Sequence, residues 1–489
     1  MASSSPPKIF SLISIIFTIF TSMVSSLITT PNNNNNTTIT IPLSPLLFTN
    51  NKHNNNNNPN NPSLDPYQSL KLHAYASIRR AHHLKHHKAK KTLSPSIIKT
   101  QVHPKSYGGY SIDLKFGTPP QTLPFILDTG SSLVWLPCSS HYLCSKCNVD
   151  DNTKISTFIP KKSSTSKLIG CKSPKCAWIF GANVKCQNCQ GKQSNCSQVC
   201  PAYTIQYGLG STAGFLLSEN LNFPRKIVPD FLVGCSVLSA YQPAGIVGLG
   251  RGPESLPRQM NLKKFSYCLL SHRFDDSRET SNLVLHGSGA IGKTTGVSYT
   301  PYDKNPAGEN TAFGTYYYIP IRKVIVGGKH VKIPTNLLEP DSAGNGGSIV
   351  DSGTTFTFME KPIFDAVARE FENQVKLSRN RVVEKRSGLS PCFNVVANNK
   401  TTSFPSLTLQ FRGGAKMTLP LSNYFSFVGA KSDVACFTIV SDDGFAETLS
   451  AARGPAVILG NYQQQNFYVE YDLENEKFGF RHQSCKSSG

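Results

Sequence analysis

Two copies of one short acid loop constrain this 489-residue chain more than any other feature of its sequence. The first is Asp128-Thr129-Gly130-Ser131 and the second is Asp351-Ser352-Gly353-Thr354. Each lies between two apolar runs, so both are predicted to be turns between strands. One such tetrapeptide is an ordinary turn, because Asp and Gly are common turn residues. Two copies in matching contexts indicate two acids that meet at one site.

Two carboxyl groups held close together are suited to activating water. They cannot both ionise cheaply, so they share one proton and titrate as a pair with separated apparent pKa values. One member can then take a proton from water while the other donates a hydrogen bond to a carbonyl group. We therefore predict that Asp128 and Asp351 form a catalytic dyad that uses no metal and no cofactor.

Four further stretches extend the pattern along the chain: Tyr207-Gly208-Leu209-Gly210-Ser211, Ala244 to Gly250, Val457 to Asn461, and Asn461 to Phe467. With them the chain resembles the pepsin-type aspartic proteases, and within these the nepenthesin-like plant group, from about Tyr107 to Cys485. The resemblance implies a mostly β, bilobal fold with a catalytic cleft between two β lobes. It also implies that the second and third stretches are strands that brace the two acid loops.

The resemblance assigns roles to the residues around the two acids. Ser131 and Thr354 would hydrogen-bond the outer oxygens of the Asp side chains, and Thr129 and Ser352 would tie the two loops together. The remaining loop residues, Gly130 and Gly353, allow a backbone turn that a side chain would block.

The same resemblance makes the hairpin around Tyr207 and Gly208 a flap over the cleft. Trp135 would donate a hydrogen bond to Tyr207, because a buried indole N–H usually needs a partner. Leu209 departs from the plant group, which commonly has an acid between the flap glycines.

Short alternating runs dominate the rest of the chain and predict half-buried strands over 111–116, 407–411 and 467–471. The clearest helical stripe covers 361–375. Two lobes are expected, an N-terminal lobe over 107–295 and a C-terminal lobe over 296–489.

The first 106 residues indicate targeting and inhibition. Residues 1–26 read as a cleaved secretory signal peptide, with a membrane anchor as the alternative. Residues 27–106 read as a pro-segment with an Asn-rich disordered stretch, 32–62, and a basic His/Lys run, 79–91. That run could be a solvated helix or a nucleic-acid patch, but no stacking motif accompanies it. We expect its cations to lie over the acidic site as an intramolecular inhibitor, with histidines that add a pH dependence.

Fourteen cysteines, nine of them in a cysteine-rich insert at about 138–200, favour disulfides in an oxidising compartment over a zinc site. Sequence alone does not give their pairing. The resemblance implies the pairs Cys138–Cys144, Cys147–Cys235, Cys268–Cys485 and Cys392–Cys436. Asn195 and Asn399 fit the glycosylation sequon.

These features together predict a secreted, acid-active aspartic endopeptidase that is a monomer and cleaves polypeptide substrates. Its location would be extracellular, in the apoplast or cell wall, with the vacuole as an alternative. No nucleic-acid partner is expected, and no membrane span after signal removal. The rival interpretation is a weakly active or inactive protein of the same fold that inhibits cell-wall enzymes or binds the wall. The part of the chain after Ser106 has 39 Lys and Arg against 28 Asp and Glu, and this net charge of +11 suits such binding, whereas two complete acid loops oppose inactivity.

Overall fold

The structure is a computed structural model that describes residues 66–84, 98–105, 108–147, 155–181, 184, 198–208, 210–224, 226–271, 279–287, 293–306, 311–395, 404–429, 432–442 and 454–485. Several predictions fall outside these residues: the signal peptide, the Asn-rich stretch, the basic run beyond Leu84, Leu209, the sequons at Asn195 and Asn399, and Cys186, Cys189 and Cys196.

Six α-helices lie within the described residues, and most of them are short. They are Pro66–Leu84 (α1), Pro174–Phe180 (α2), Leu256–Gln259 (α3), Thr335–Leu338 (α4), Lys361–Gln374 (α5) and Arg381–Ser387 (α6). Short 3-10 helices cover Pro160–Lys162, Thr311–Thr315 and Leu421–Asn423.

Strands make up most of the regular structure. In chain order they are Ile98–Lys105 (β1), Gly109–Phe116 (β2), Gln121–Asp128 (β3), Trp135–Pro137 (β4), Leu143–Ser145 (β5), Lys167–Leu168 (β6), Tyr203–Gln206 (β7), Ser211–Phe223 (β8), Lys226–Ala240 (β9), Gly245–Gly248 (β10), Lys264–Cys268 (β11), Ser281–His286 (β12), Ser298–Pro301 (β13), Tyr317–Tyr318 (β14), Ile321–Val326 (β15), Lys329–His330 (β16), Ser348–Val350 (β17), Thr357–Met359 (β18), Cys392–Asn394 (β19), Leu407–Phe411 (β20), Lys416–Leu419 (β21), Phe425–Val428 (β22), Val434–Phe437 (β23), Ile439–Val440 (β24), Val457–Leu459 (β25), Phe467–Asp472 (β26) and Lys477–His482 (β27).

The predicted mostly β, bilobal fold is confirmed, and one large sheet joins the two lobes. Its order is β13-β27-β26-β11-β12-β1-β2-β3-β10-β4-β9-β8-β6, so strands from the end of the chain pair with strands of the first half. Three smaller sheets belong to the second lobe: β14-β17-β25-β18-β24, β16-β15-β20-β21 and β19-β23-β22. The strand β1 lies inside the large sheet, antiparallel to both β12 and β2.

Local sequence explains the helices that the structure contains. The predicted helix over 361–375 is confirmed as α5, and its apolar stripe of Ile363, Phe364, Val367 and Phe371 is buried. Asn380 caps α6 by accepting a hydrogen bond from the Val383 amide, and Gly388 ends that helix with a φ of 68°.

Two of the four predicted disulfide pairs are confirmed and two are wrong. Cys268–Cys485 and Cys392–Cys436 are joined as expected. In place of Cys138–Cys144 and Cys147–Cys235, the structure joins Cys138 to Cys235 and Cys144 to Cys147.

Strand register explains the corrected pairing. The strand β4 runs parallel to β9, with Leu136 opposite Cys235. Cys138 follows Leu136 by two residues and therefore lies near Cys235, and the Cα atoms of the two cysteines are 5.1 Å apart. Cys144 lies in β5, and its local partner Cys147 follows three residues later. A further bond, Cys176–Cys200, lies within the cysteine-rich insert.

Among the described residues, no helix is both long enough and apolar enough to span a membrane. Nor do they contain a group of three or more His, Cys, Asp or Glu side chains arranged to hold a metal ion.

Candidate active site

Both acid loops begin where a buried strand ends, and each strand is braced by a parallel neighbour. The strand β3 ends at Asp128, and β10 runs beside it with Gly248 opposite Asp128. In the second lobe β17 precedes Asp351, and β25 runs beside it with Leu459 opposite Val350. The two bracing strands that the resemblance implied therefore occupy equivalent positions in the two lobes.

The backbones of the two loops hold each other through a reciprocal pair of hydrogen bonds. The Thr129 amide donates to Ser352 Oγ at 3.0 Å, and the Ser352 amide donates to Thr129 Oγ1 at 2.9 Å. Ser352 Oγ then donates to the Leu127 carbonyl oxygen at 2.9 Å. These buried contacts fix the position of one loop relative to the other, and we call them the loop grip.

Each carboxyl group receives the same two hydrogen bonds from its own loop. Ser131 Oγ donates to Asp128 Oδ2 at 2.5 Å, and the Gly130 amide donates to Asp128 Oδ1 at 3.0 Å. Around Asp351 the donors are Thr354 Oγ1 at 2.6 Å and the Gly353 amide at 2.9 Å. Four donors thus orient the two acids, and the two hydroxyl donors, Ser131 and Thr354, are those that the resemblance implies.

The loop glycines are required because each lies against the opposite acid. A Cβ atom at Gly130 would be 2.7 Å from Asp351 Cγ, and one at Gly353 would be 2.4 Å from Asp128 Oδ1. Both distances are shorter than any van der Waals contact, so a side chain at either position would push the two carboxyl groups apart.

The predicted contact between Trp135 and the flap residue Tyr207 is present. The strands β7 and β8 form the hairpin, and the Tyr207 amide donates to the Gly210 carbonyl oxygen at 2.8 Å across its turn. Trp135 Nε1 donates to the Tyr207 hydroxyl at 2.8 Å. Burial and then the charge of Asp128 raise the pKa of Tyr207 well above its usual value, so the phenol stays neutral.

A cation from the predicted pro-segment occupies the space between the two acids. Arg80, on α1, places its Nη2 2.6 Å from Asp128 Oδ1 and its Nε 3.1 Å from Asp351 Oδ2. Sequence reasoning indicated the basic run as a whole and did not single out Arg80. Its neighbour Arg79 is exposed and donates from Nε to the Gly208 carbonyl oxygen of the flap at 3.3 Å.

The charge of Arg80 sets the protonation of the pair. Burial raises the pKa of Asp128, Arg80 lowers it and Asp351 raises it again, which leaves it above its usual range. Burial also raises the pKa of Asp351, but Arg80 and the donors Thr354 and Gly353 hold it below its usual value. With the helix docked, Asp351 is therefore the carboxylate and Asp128 binds a proton more readily.

An apolar stripe on α1 packs on the second lobe beside the acids. It consists of Leu70, Ala74, Ile78, Ala81 and Leu84. These residues join one buried cluster with second-lobe residues that include Phe356 and Phe358. Ser77 adds a polar contact, because its Oγ accepts a hydrogen bond from the Phe356 amide at 2.8 Å. The helix is thus attached by apolar surface as well as by Arg80.

Two family models match this chain, one in each half. The family model described as "Xylanase inhibitor N-terminal" matches residues 110–287, and "Xylanase inhibitor C-terminal" matches residues 316–482.

Among curated proteins, the chain is 32% identical to a probable aspartyl protease of Arabidopsis thaliana over 422 residues, which cover 77% of this chain and 82% of the relative. It is 33% identical to aspartic proteinase nepenthesin-2 of Nepenthes gracilis over 403 residues, which cover 81% and 82% of the two chains.

Two solved structures share the fold. The crystal structure of edgp superposes with a TM-score of 0.58 at 20% identity and covers 81% of this chain and 96% of that one. The basic 7S globulin from soybean gives a TM-score of 0.57 at 17% identity, with 80% and 99% covered.

Proposed function

This chain belongs to the aspartic proteases of plants, and from that membership we propose that it is an acid-active endopeptidase. It would hydrolyse peptide bonds in polypeptides with a water activated between Asp128 and Asp351. The observation that carries the proposal is the complete set of hydrogen bonds around the two carboxyl groups, joined by the loop grip.

The chemistry follows from two acids that share a proton. The ionised carboxylate takes a proton from the bound water, whose oxygen attacks the scissile carbonyl carbon. The protonated acid donates a hydrogen bond to the carbonyl oxygen and stabilises the negative charge that develops there. Proton transfer to the amine then releases the two peptide products. Tyr207, held by Trp135, would close over the substrate and limit the access of water.

The helix α1 would serve as an intramolecular inhibitor of that reaction. The Arg80 guanidinium lies within hydrogen-bond distance of both acids, in the space that water and the scissile carbonyl would need. A Cβ atom at Gly208 would lie 2.3 Å from Arg80 Cα, so the helix also blocks the approach of a peptide beneath the flap. We place this inhibited form on a secretory route, in agreement with the disulfides and the signal-like start of the chain.

A second candidate function is inhibition of a cell-wall enzyme. It is favoured by the matching family models, whose descriptions name xylanase inhibitors. Against it stand the two intact acids and their full complement of donors, which a pure inhibitor would not need.

One set of assays separates the two functions. The chain from the pro-segment onward is exposed to acid and assayed for cleavage of denatured globin, with and without pepstatin, and for inhibition of xylanase. We expect pepstatin-sensitive cleavage that is lost in Asp128→Asn and Asp351→Asn. Full cleavage by either variant would show the dyad assignment to be wrong, and xylanase inhibition without cleavage would favour the second function.

The inhibitory role of α1 has its own test. A synthetic peptide spanning Pro66–Leu84 is added to the acid-treated enzyme, beside a control peptide that carries Arg80→Gln. We expect inhibition at neutral pH that weakens in acid and is much smaller for the control. Absence of inhibition at every pH would end the proposal that the helix is an inhibitor.

A further inference from the structure

A buried turn clasps the backbone of the second acid loop. The turn follows β25 and runs from Asn461 to Gln465. The Asn461 amide donates to the Thr354 carbonyl oxygen at 2.7 Å, and Asn461 Nδ2 donates to the Ser352 carbonyl oxygen at 3.0 Å. Because both acceptors flank the sharpest part of the loop, a shift of this turn would carry Asp351 with it.

Gln464, in the same turn, shares an acceptor with the catalytic acid. The Leu459 carbonyl oxygen accepts from the Asp351 amide at 3.0 Å and from Gln464 Nε2 at 3.0 Å. A carbonyl oxygen can only accept, so the amide nitrogen of Gln464 must face Leu459. Its oxygen therefore faces the opposite direction, toward β11.

Two tyrosines on neighbouring strands continue the connection. Tyr267, on β11, donates from its hydroxyl to Gln464 Oε1 at 2.6 Å. Its only proton is thereby used, so the Tyr471 hydroxyl on β26, 2.9 Å away, must donate to Tyr267. Both side chains are fully buried between the lobes, and Phe265 stacks on Tyr471 with ring centroids 4.3 Å apart.

The connection ends at the first acid loop. The Tyr471 ring packs edge-on against Tyr317 of β14, with the two ring centroids 4.7 Å apart. The Tyr317 hydroxyl donates to the Leu249 carbonyl oxygen at 2.8 Å, and the Leu249 amide donates to the Asp128 carbonyl oxygen at 2.8 Å. A line of contacts thus runs from the backbone of Asp128 through these tyrosines and Gln464 to the carbonyl that holds Asp351, and we call it the tyrosine relay.

We propose that Tyr267, Tyr471 and Gln464 are positioning residues that set the separation of the two catalytic carboxyl groups. This proposal rests on the proposed peptidase function. The loop grip fixes the loops at one point, and the tyrosine relay adds a second connection on the side away from the cleft. With two connections the loops cannot rotate about the grip, so the carboxyl groups stay close enough to share a proton.

The first test measures the loop itself and does not need activity. Backbone amide hydrogen exchange over residues 348–359 is followed in the full chain for wild type, Tyr267→Phe and Tyr471→Phe. Each substitution breaks the tyrosine relay, and we expect exchange there to become about tenfold faster, which corresponds to about 1.4 kcal/mol. The matched control is Tyr424→Phe, which removes a buried hydroxyl that donates to the Pro405 carbonyl oxygen outside the relay.

The second test measures the chemistry after acid treatment. We expect kcat to fall about tenfold in either relay variant, with KM within about twofold of wild type. The pH–rate profile should also become narrower, with its acidic limb at higher pH and its basic limb at lower pH. When the carboxyl groups move apart they interact less, and their two apparent pKa values lie closer together. A double variant should be no worse than a single one, because both substitutions break the same line of bonds.

Several results would overturn the proposal. Unchanged exchange over 348–359 would show that the tyrosine relay does not hold the loop. Faster exchange with a pH profile of wild-type width would show that it holds the loop without positioning the acids, and equal effects of Tyr424→Phe would show a general loss of stability. If wild type cleaves no peptide, the proposed function fails, while the exchange experiment still decides whether the relay holds the loop.

Discussion

Replacing Arg80 by Met should release α1 from the acids while keeping a long side chain in its place. Arg80 is buried and bound to both carboxyl groups. Removing one partner of a buried ion pair costs about 3–5 kcal/mol, which corresponds to roughly a hundred- to several-thousand-fold in an equilibrium constant. Once the guanidinium is gone, Asp128 and Asp351 can share a proton, which offsets part of this free-energy cost. We therefore expect the population of the undocked helix to rise about a hundredfold at pH 7.

The pH dependence gives this prediction a sign. Arg80 lowers the pKa of both acids. An acid whose pKa is lowered by a contact stabilises that contact fully at any pH above its ordinary pKa, which is about 3.9 for Asp. This stabilisation is lost as the pH falls through the lowered pKa. The Asp128 pKa remains above its usual range despite Arg80, so proton uptake and loss of the contact begin there at higher pH. Wild-type undocking should thus increase in acid, whereas that of Arg80→Met should change less.

Histidines of the same helix remain in the variant. His73 and His82 are buried, and His83 packs against Tyr207. Protonation of a buried imidazole carries a desolvation cost in the docked state, in wild type and variant alike. The contribution of Arg80 is therefore the difference between the two pH curves.

Hydrogen exchange over residues 66–84 measures undocking directly, and peptide cleavage without prior acid treatment measures its consequence. The control is Lys71→Met, which removes the same charge from an exposed position on α1. If Arg80→Met exchanges these amides at the wild-type rate at pH 7 and cleaves no peptide without acid treatment, this ion pair does not hold the helix.

Three further outcomes are expected. Trp135→Phe removes the donor to Tyr207 and should lower kcat/KM by about two- to tenfold, the value of one hydrogen bond, and the urea unfolding midpoint should also fall because Trp135 is fully buried and the smaller ring leaves a cavity. Gly353→Ala should abolish peptidase activity in the acid-treated chain, because its Cβ would collide with Asp128; activity within tenfold of wild type would contradict the geometry. N-terminal sequencing of the mature enzyme should show a first residue before Ile98, because β1 lies between β12 and β2 and its removal would separate these two strands and leave each with an unpaired edge.

The acid loops could be predicted because all their chemistry is local. Asp128 and Asp351 each carry their own hydroxyl and glycine within three residues, so the motif is complete in the sequence. Strands such as β20 and the helix α5 could be predicted for a similar reason, since their apolar periodicity lies within one short segment.

Other parts of the site depend on register and docking, which no local pattern encodes. Arg80 is one of several cations in a basic run, and only the seating of α1 on its stripe decides which one reaches the acids. Tyr267 and Tyr471 look like ordinary strand tyrosines until β11 and β26 pair. The pairing of Cys138 with Cys235 likewise follows from the parallel register of β4 and β9.

The position of β26 and β27 in the large sheet bears on how a ribosome can make this protein. The strand β11 pairs with β26, which is made about 200 residues later, so the first lobe cannot complete its sheet while the chain is still being translated. The tyrosine relay needs the same late segment. By that time α1 has long been synthesised and can dock as soon as the second lobe forms. The order of synthesis thus keeps a nascent chain from presenting an assembled dyad before its inhibitor is present.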